Sequence, residues 1–209
     1  MKTANILIPD KNVIMPTKKR YLFRVAMKHS TAIPKALNSV INRIYKKGLE
    51  LSEPVIYWQD FPVEIENPGN DKKTSAFPIY LIPSRLEGSS SITLFASTLG
   101  SKIDQQIKQF IGEEKILEAT LLDAWASESV EALNKWFDGK LRARSGKGTM
   151  RFSPGYDDLP ITYNNELMTD FLKINAIVAD KETGILTPKK STICLIGWLN
   201  ERGEINESR

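Results

Sequence analysis

The amino-acid sequence predicts an α+β fold in which a mostly antiparallel sheet is flanked by helices. Segments of strand composition and segments of helical periodicity alternate irregularly along the 209 residues, and neighbouring strand segments are joined by hairpin-like turns. No G-x-G-x-x-G motif opens a helix after a strand, so a doubly wound nucleotide-binding fold has no support. The length favours one domain over 1–209, with an N-terminal arm and helix in 1–30 and a frayed tail in 200–209.

The first half of the chain is predicted to contain three strands and two helices. Apolar residues at helical spacing predict one helix over 21–28 and a second from Pro34, which Gly48 is expected to end or loosen. The polar segment 66–76 contains a Pro-Gly pair and predicts the turn of an antiparallel strand pair. Strand composition marks the segments 4–8, 55–65 and 77–82.

The second half is predicted to add two strands and three helices. Ser101 is a candidate N-cap for a helix that ends near Gly112. The segment 138–150 is rich in Gly and basic residues without apolar periodicity, and it predicts a flexible connection. The other predicted elements are strands over 91–97 and 192–198, the longest helix over 114–137 and a short helix over 164–174.

Composition excludes several classes of site. Cys194 is the only cysteine, which excludes an intrachain disulfide and a multi-cysteine metal site, and its apolar neighbours predict burial. His29 is the only histidine, and its polar neighbours predict a surface position, which leaves no multi-histidine metal site and no Ser-His-Asp triad. The sequence therefore predicts no metal site and no catalytic residue.

Charge and hydropathy restrict the partners and the compartment. The formal charge is +4, and acidic and basic residues are interspersed except in 18–20 and 140–147. Both basic runs are more typical of solvated surface than of a nucleic-acid site, although binding through 140–147 remains an alternative. No apolar run is long enough for a membrane span, and the N-terminal run is too short for a signal peptide. We therefore expect a cytoplasmic protein with no membrane or nucleic-acid partner.

The sequence MRFSPGYDDLP combines residue types that suit a ligand site. Arg151 can bind a carboxylate or phosphate in two parallel hydrogen bonds. Ser153, Pro154 and Gly155 predict a tight turn whose main chain can approach a ligand, and Tyr156 can stack on it or close the site. The alternative is an ordinary Pro-Gly turn with a solvated arginine.

Three segments together resemble the activation domain of cobalamin-dependent methionine synthase, the module that binds S-adenosylmethionine for reductive reactivation of the cofactor. The family's R-x-x-P-G-Y-x-x-x-P motif stands here as Arg151, Pro154, Gly155, Tyr156 and Pro160. The family's A-x-A-x-x-x-x-E-A helix stands as Ala124, Ala126, Glu131 and Ala132, and its P-x-x-S segment as Pro188 and Ser191. The resemblance covers the second half of the chain well and the first half by the order of elements.

The resemblance implies roles for these residues. Arg151 would bind the carboxylate of S-adenosylmethionine, while Glu131 would favour its ammonium or sulfonium charge. Backbone groups of 153–155 would contact the adenosine, and Pro188 and Ser191 would face a partner or its cobalamin.

The resemblance also implies a reaction and its partners. Presentation of the methyl donor would allow reductive methylation of cob(II)alamin to methylcobalamin, with electrons from a donor such as a flavodoxin or ferredoxin. Because the D-x-H-x-x-G cobalamin motif is absent, the partner would have to supply the corrinoid. We therefore expect a free-standing subunit that docks on a cobalamin-dependent methionine synthase lacking its own activation domain, and that takes part in methyl transfer only within that complex.

Two departures from the family pattern support an alternative function. Ser145 stands where the family has a further acidic residue, and the tyrosine after the last matched strand has no counterpart. The alternative is a non-catalytic docking module that has lost ligand binding. From the residues alone, Glu131 could equally be a solvated helix charge paired with Lys135, and Asp157 and Asp158 are expected to cap turns.

Overall fold

A computed structural model describes residues 3–25, 33–63 and 77–199, and it confirms the α+β fold with an antiparallel sheet flanked by helices. His29, the predicted loop 66–76 and the predicted tail 200–209 lie outside the described residues. The strands and helices are β1 (Asn5–Leu7), α1 (Lys18–Arg24), α2 (Lys35–Leu51), β2 (Val55–Pro62), β3 (Ser91–Thr98), α3 (Lys102–Gly112), α4 (Ile116–Ser145), α5 (Tyr163–Glu166), β4 (Val178–Ala179), β5 (Leu186–Thr187) and β6 (Ser191–Trp198).

The main sheet has the strand order β1-β2-β3-β6, and all its pairs are antiparallel. β1 is an edge strand, as its short apolar run predicts. Beyond β6, the segment 148–152 continues the sheet, because Phe152 and Leu195 exchange backbone hydrogen bonds of 2.9 and 2.8 Å. This pairing fixes the backbone next to Arg151 and directs the chain into the turn that follows.

One face of the sheet is covered by α1 to α4 around the buried ring of Trp125. Tyr45 packs edge-on against that ring at 6.0 Å between centroids. Gly48 lies inside α2, where a Cβ atom would stand 2.3 Å from the Trp125 ring. The prediction that Gly48 ends α2 is therefore wrong: its missing side chain lets α2 approach α4 closely.

The opposite face is covered by short, irregular elements. These are single turns of 3₁₀ helix over Ile79–Leu81 and Ser84–Leu86, the turn after Arg151, and α5 with its π-helical extension Leu167–Leu172. The Phe171 ring lies 5.7 Å from Phe61 and 5.2 Å from Phe77 between centroids. Apolar rings, single turns and one short helical segment form this second layer.

The predicted strand over 77–82 is wrong. Phe77 makes a single parallel bridge to Val63, and the next residues form the 3₁₀ turn Ile79–Leu81. Pro78 and Pro83 lack the backbone N–H that a strand would need at those positions. The partners of β2 are instead β1 and β3.

The predicted flexible connection over 138–150 is also wrong, because α4 continues through most of it. Asp138 and Arg142 form an i,i+4 ion pair at 2.9 Å within the extended helix. The Arg142 guanidinium also donates hydrogen bonds to the carbonyls of Gly148 and Thr149, at 3.2 and 2.8 Å. These bonds fasten the end of α4 to the segment that carries Arg151.

Two helix ends differ in detail from the sequence prediction. Ser101 occupies the N-cap position of α3, but its side chain makes no capping hydrogen bond. The helix predicted over 164–174 begins one residue earlier and ends in the π-helical stretch Leu167–Leu172, since Lys173 has a left-handed φ of +54°.

Candidate functional site

A cleft of about 790 Å³ opens at the β6 edge of the sheet, where α4 meets the turn after Arg151. This volume lies in the range typical of small-molecule sites. Of the eight residues predicted to bind the ligand or face a partner, six line the cleft (Glu131, Arg151, Ser153, Pro154, Tyr156 and Ser191), whereas Gly155 and Pro188 do not. Residues separated by up to sixty positions in the chain are thus brought to one surface.

The centre of the cleft carries an ion pair between two of these residues. Nη2 of Arg151 donates to both carboxylate oxygens of Glu131 at 2.8 Å. The Arg151 side chain is 19% exposed and that of Glu131 is 44% exposed. Within the described residues, Nε and Nη1 of Arg151 have no hydrogen-bond acceptor, so these donors can take a ligand oxygen.

The ion pair differs from both alternatives considered for these residues. Glu131 pairs with Arg151 across the cleft, and the described residues show no ion pair with Lys135. Arg151 is more than four-fifths buried, unlike a solvated turn arginine. Burial opposes the charge of Arg151, but the Cys194 thiolate that forms at the high pH where a guanidinium titrates, together with the Glu131 carboxylate, outweighs it and raises the pKa of the guanidinium.

The turn that follows Arg151 is held by a backbone hydrogen bond. Gly155 has a φ of +95°, which an L side chain rarely adopts, and its N–H donates to the Leu159 carbonyl at 2.8 Å. That N–H is therefore not available to a ligand, in contrast to the exposed turn backbone expected from the sequence. Tyr156 stands at the rim of the cleft with 69% of its surface exposed.

Two aspartates fasten the turn to the irregular layer. The Asp158 carboxylate accepts the Ser84 backbone N–H at 2.9 Å, and Asp157 forms an ion pair with Arg85. The Ser84 N–H lowers the pKa of Asp158, because it stabilises the ionised carboxylate. Both residues therefore connect two segments, beyond the local capping predicted for them.

The floor of the cleft contains Cys194, which is buried as its apolar context predicts. Its Sγ lies 3.4 Å from the Ser153 hydroxyl. Burial raises the pKa of the thiol, so it stays protonated at neutral pH. Cys194 is therefore a neutral polarizable surface for a ligand and is not a nucleophile.

A polar network joins α4 to the sheet beneath the ion pair. Ser97 donates to the Asn134 side-chain oxygen at 2.6 Å, and the Asn134 amide donates to the Thr192 hydroxyl at 2.9 Å. Each group has a partner, so the network fixes the position of α4 over the sheet. Glu131 stands one turn before Asn134 on α4, so the network also fixes where Glu131 lies relative to the sheet.

The far end of the cleft is formed by residues that the sequence did not single out. The Asn164 amide donates to the Gly184 carbonyl at 2.9 Å. Gly184 has a φ of +70°, and a Cβ atom there would stand 2.2 Å from the Ile161 carbonyl oxygen. Ile161 and Ile185 expose apolar surface to the cleft. Only the Thr-Gly turn before Ile185 marks this region in the sequence.

Pro188, Ser191 and Ser145 were also singled out in the sequence, and their surroundings are as follows. Pro188 is buried, and Ser191 donates to the Thr98 hydroxyl at 2.8 Å. Ser145 is the last residue of α4, and its hydroxyl accepts a hydrogen bond from Nε of Arg144 at 3.1 Å. A partner-facing role for Pro188 and Ser191 stays a prediction.

The basic run over 140–147 is largely engaged within the protein. Arg144 pairs with Asp60 at 2.9 Å and stacks on the Trp58 ring at 4.7 Å, and Lys140 lies over the Trp136 ring. Over 3–25, 33–63 and 77–199, no group of three or more His, Cys, Asp or Glu residues could hold a metal ion. No helix in the same residues has the length and apolarity needed to cross a membrane.

The fold and the cleft together define a class: an α+β domain with a ligand-sized cleft at the edge of an antiparallel sheet. No protein-family model matches the sequence, and a search of curated proteins gives no match. Among solved structures, the fold matches the crystal structure of the MetH reactivation domain bound to AdoHcy, with a TM-score of 0.65 and 13% sequence identity. The match covers 96% of this chain and 80% of that one, and it confirms the resemblance at the level of the fold.

Proposed function

We propose that the cleft binds S-adenosylmethionine and that the protein is a reactivation subunit for a cobalamin-dependent methionine synthase. In this role the protein would present the methyl donor for reductive methylation of cob(II)alamin to methylcobalamin. The observation that carries the proposal is the Arg151–Glu131 pair in a ligand-sized cleft, in the fold of a domain whose crystal structure is bound to AdoHcy.

The pair suits the amino-acid end of the ligand. The ligand carboxylate can accept a hydrogen bond from an open donor of Arg151, either Nη1 or Nε, while Nη2 stays on Glu131. Glu131 is nearly half exposed, so its carboxylate can attract the ligand ammonium or sulfonium without leaving Arg151 unpaired. The negative carboxylate of the ligand would therefore face Arg151, and its positive ammonium or sulfonium would face Glu131.

The opposite end of the cleft suits the adenosine. Ile161 and Ile185 offer apolar side chains on either side of the Gly184 turn, and Tyr156 offers a ring at the rim. A purine has two flat apolar faces, which such side chains can cover. The ligand would thus extend from Arg151 towards Gly184.

The rim suits a partner that covers the bound ligand. Tyr156, Ile161 and Ile185 are large apolar residues exposed around the cleft, which is typical of a protein interaction surface. Cobalamin, held by the partner, would supply the metal that accepts the methyl group after reduction by a donor such as a flavodoxin or ferredoxin. The residues of this chain would hold and orient the methyl donor, so we expect methyl transfer only within the complex. We expect that complex to act in the cytoplasm.

Isothermal titration with S-adenosylmethionine tests the proposal, both on the protein alone and on its complex with a synthase that lacks an activation domain. We expect Arg151→Ala to weaken binding on the order of 10- to 100-fold, because hydrogen bonds between charged groups are lost from a largely buried position. Arg43→Ala is the matched control, since it removes the same side chain from an ion pair with Glu118 outside the cleft.

A second candidate function predicts a different result. A docking module without ligand binding is favoured by Ser145, which replaces an acidic residue of the family pattern and lies outside the cleft lining. For such a module, the protein would dock on the synthase, and neither the protein nor the complex would bind S-adenosylmethionine. Docking and reactivation unchanged by Arg151→Ala would also favour this second function.

A further inference from the structure

A second, shallower groove of about 450 Å³ lies on another side of α4. It runs between the start of α1 and the solvent-facing stripe of α4, and its lining includes Met15, Arg20, Glu128, Lys135 and Trp136. None of these residues lines the cleft that contains Arg151. The groove is therefore a separate surface feature of the molecule.

The groove carries uncompensated positive charge. Arg20 and Lys135 are exposed, and neither has an ion-pair partner in the part of the chain that the structure describes. Glu128 is the only carboxylate in the lining, and it already pairs with Arg24 at 2.6 Å. An anionic ligand would therefore meet two free cations without a competing free carboxylate.

The floor of the groove is apolar and aromatic. Trp136 is half-buried, with the Lys140 ammonium 4.9 Å from its ring centroid. Met15 also lines the groove with 42% of its surface exposed, and the small residues Ala132 and Gly139 leave the groove open along α4. Trp, Met and Arg are the residue types enriched in the centres of protein interfaces.

The groove and the cleft use adjacent stripes of the same helix and share no lining residue. Glu128, Lys135 and Gly139 are spaced by seven and four residues, which places them on one stripe of α4. Glu131 lies roughly a sixth of a turn and Asn134 roughly a third of a turn around the helix from Glu128. A partner in the groove would therefore leave the cleft open to its own ligand.

We propose that the groove is the docking site for an acidic segment of a partner protein, which places an apolar side chain against Trp136 and carboxylates on Arg20 and Lys135. The positive charge of the groove favours an acidic ligand, and its apolar floor favours a protein segment that carries an apolar side chain. This docking is independent of the function proposed for the cleft, and both sites can be occupied together.

The surroundings of the groove favour a protein over a nucleic acid. A nucleic-acid site would need a continuous row of free cations along the phosphate backbone. The basic residues that follow on α4 do not provide such a row, because Arg142 pairs with Asp138 and Arg144 pairs with Asp60. Within the groove lining, the unpaired cations are Arg20 and Lys135, at the rim of an apolar floor.

Titration with a synthetic peptide of glutamates around one phenylalanine tests the docking site at low and high salt. We expect the peptide to shift the NMR signal of the Trp136 indole and to bind roughly tenfold more weakly to the double variant Arg20→Ala/Lys135→Ala. The matched control is Lys46→Ala/Lys108→Ala, which removes two exposed lysines from α2 and α3 and should bind like the wild type. S-adenosylmethionine binding should be the same in both double variants.

Four results would overturn the docking proposal. An equal loss of peptide affinity in both double variants would mean that binding depends only on the net charge of the protein. Equal binding of a peptide with alanine in place of phenylalanine would remove the role of the Trp136 floor. Tighter binding of an oligonucleotide of the same charge would assign the groove to nucleic acid. Self-association of the free protein that disappears in Arg20→Ala/Lys135→Ala would assign it to a second copy.

Discussion

The two faces of the sheet are covered in different ways. On one face, α1 to α4 bury a continuous apolar core around Trp125. On the other, single 3₁₀ turns, a π-helical stretch and the turn after Arg151 bury a smaller set of apolar side chains, among them the Phe61, Phe77 and Phe171 rings. The first layer depends on helix packing, and the second depends more on individual contacts such as that between Asp158 and Ser84.

The cleft lies where the two layers meet, and it takes one charged residue from each. Glu131 comes from the helical layer and is positioned through Asn134, whereas Arg151 comes from the irregular layer and is positioned by the pairing of Phe152 with β6. Changes deep in the helical layer should therefore reduce stability more than binding. Changes in the irregular layer should alter the cleft more than the overall fold.

The largest effect is expected from Trp125→Ala in the helical layer. The Trp125 ring is fully buried against Tyr45 and the bare backbone of Gly48, so its removal leaves a cavity that helices cannot easily fill. We expect the free energy of unfolding to fall by about 3–5 kcal/mol. Urea denaturation followed by circular dichroism measures this loss.

Phe171→Ala is the corresponding change in the irregular layer. Phe171 is half-buried, and we expect its loss to cost roughly half as much. Below the melting temperature, Trp125→Ala should keep its affinity for S-adenosylmethionine. Equal costs in the two layers, or a loss of ligand affinity in Trp125→Ala with the fold intact, would contradict the separation of stability from binding.

An intermediate effect is expected from Gly184→Ala at the far end of the cleft. Its φ of +70° and the Ile161 carbonyl 2.2 Å from the new Cβ both oppose the alanine. We expect a loss of about 1–3 kcal/mol in unfolding free energy and weaker binding of S-adenosylmethionine, because the backbone of 161–162 must move. Gly88→Ala is the control: its φ is +76°, with no atom within 4 Å of the new Cβ.

The control separates backbone strain from the steric contact. Gly88→Ala should cost stability through its φ alone and leave ligand binding unchanged. Should both variants lose the same stability and bind S-adenosylmethionine equally well, the contact between Gly184 and Ile161 would have no part in shaping the cleft.

The two layers also differ in how far the sequence predicts them. The apolar periodicity of α2, α3 and α4 and the composition of β2, β3 and β6 predict these elements, because helix and strand faces repeat along the chain. The strand predicted over 77–82 is wrong, since composition does not reveal how prolines interrupt pairing in the folded chain. The end of α4 was missed because contacts such as Arg142 with Thr149 are tertiary.

The candidate site shows the same division. Arg151 is predicted from the residue types around its turn and Glu131 from the family pattern, and the structure places them 2.8 Å apart. The hydrogen bond from Gly155 to Leu159 and the contact of Asn164 with Gly184 have no signature in the sequence. Such contacts depend on where distant segments meet, which periodicity and composition do not specify.

The smallest effect is expected from Asp158→Ala, which removes the contact between the turn and Ser84. The backbone N–H of Ser84 lowers the pKa of Asp158 in the folded state, so the carboxylate is more acidic there than in the unfolded chain. Its contribution to stability is therefore complete above the unfolded value of about 3.9 and disappears as the pH falls through the lower folded value.

Melting temperatures of the wild type and Asp158→Ala should differ at pH 7 and converge as the pH falls from about 4 to about 2. Glu87→Ala removes another exposed carboxylate from the neighbouring segment, one without a side-chain hydrogen bond among the described residues, and it should show no such convergence. A constant gap between wild type and Asp158→Ala would mean that the ionised carboxylate does not fasten the turn. Apolar packing alone would then hold the Arg151 turn against the sheet, as apolar packing holds the helices on the other face.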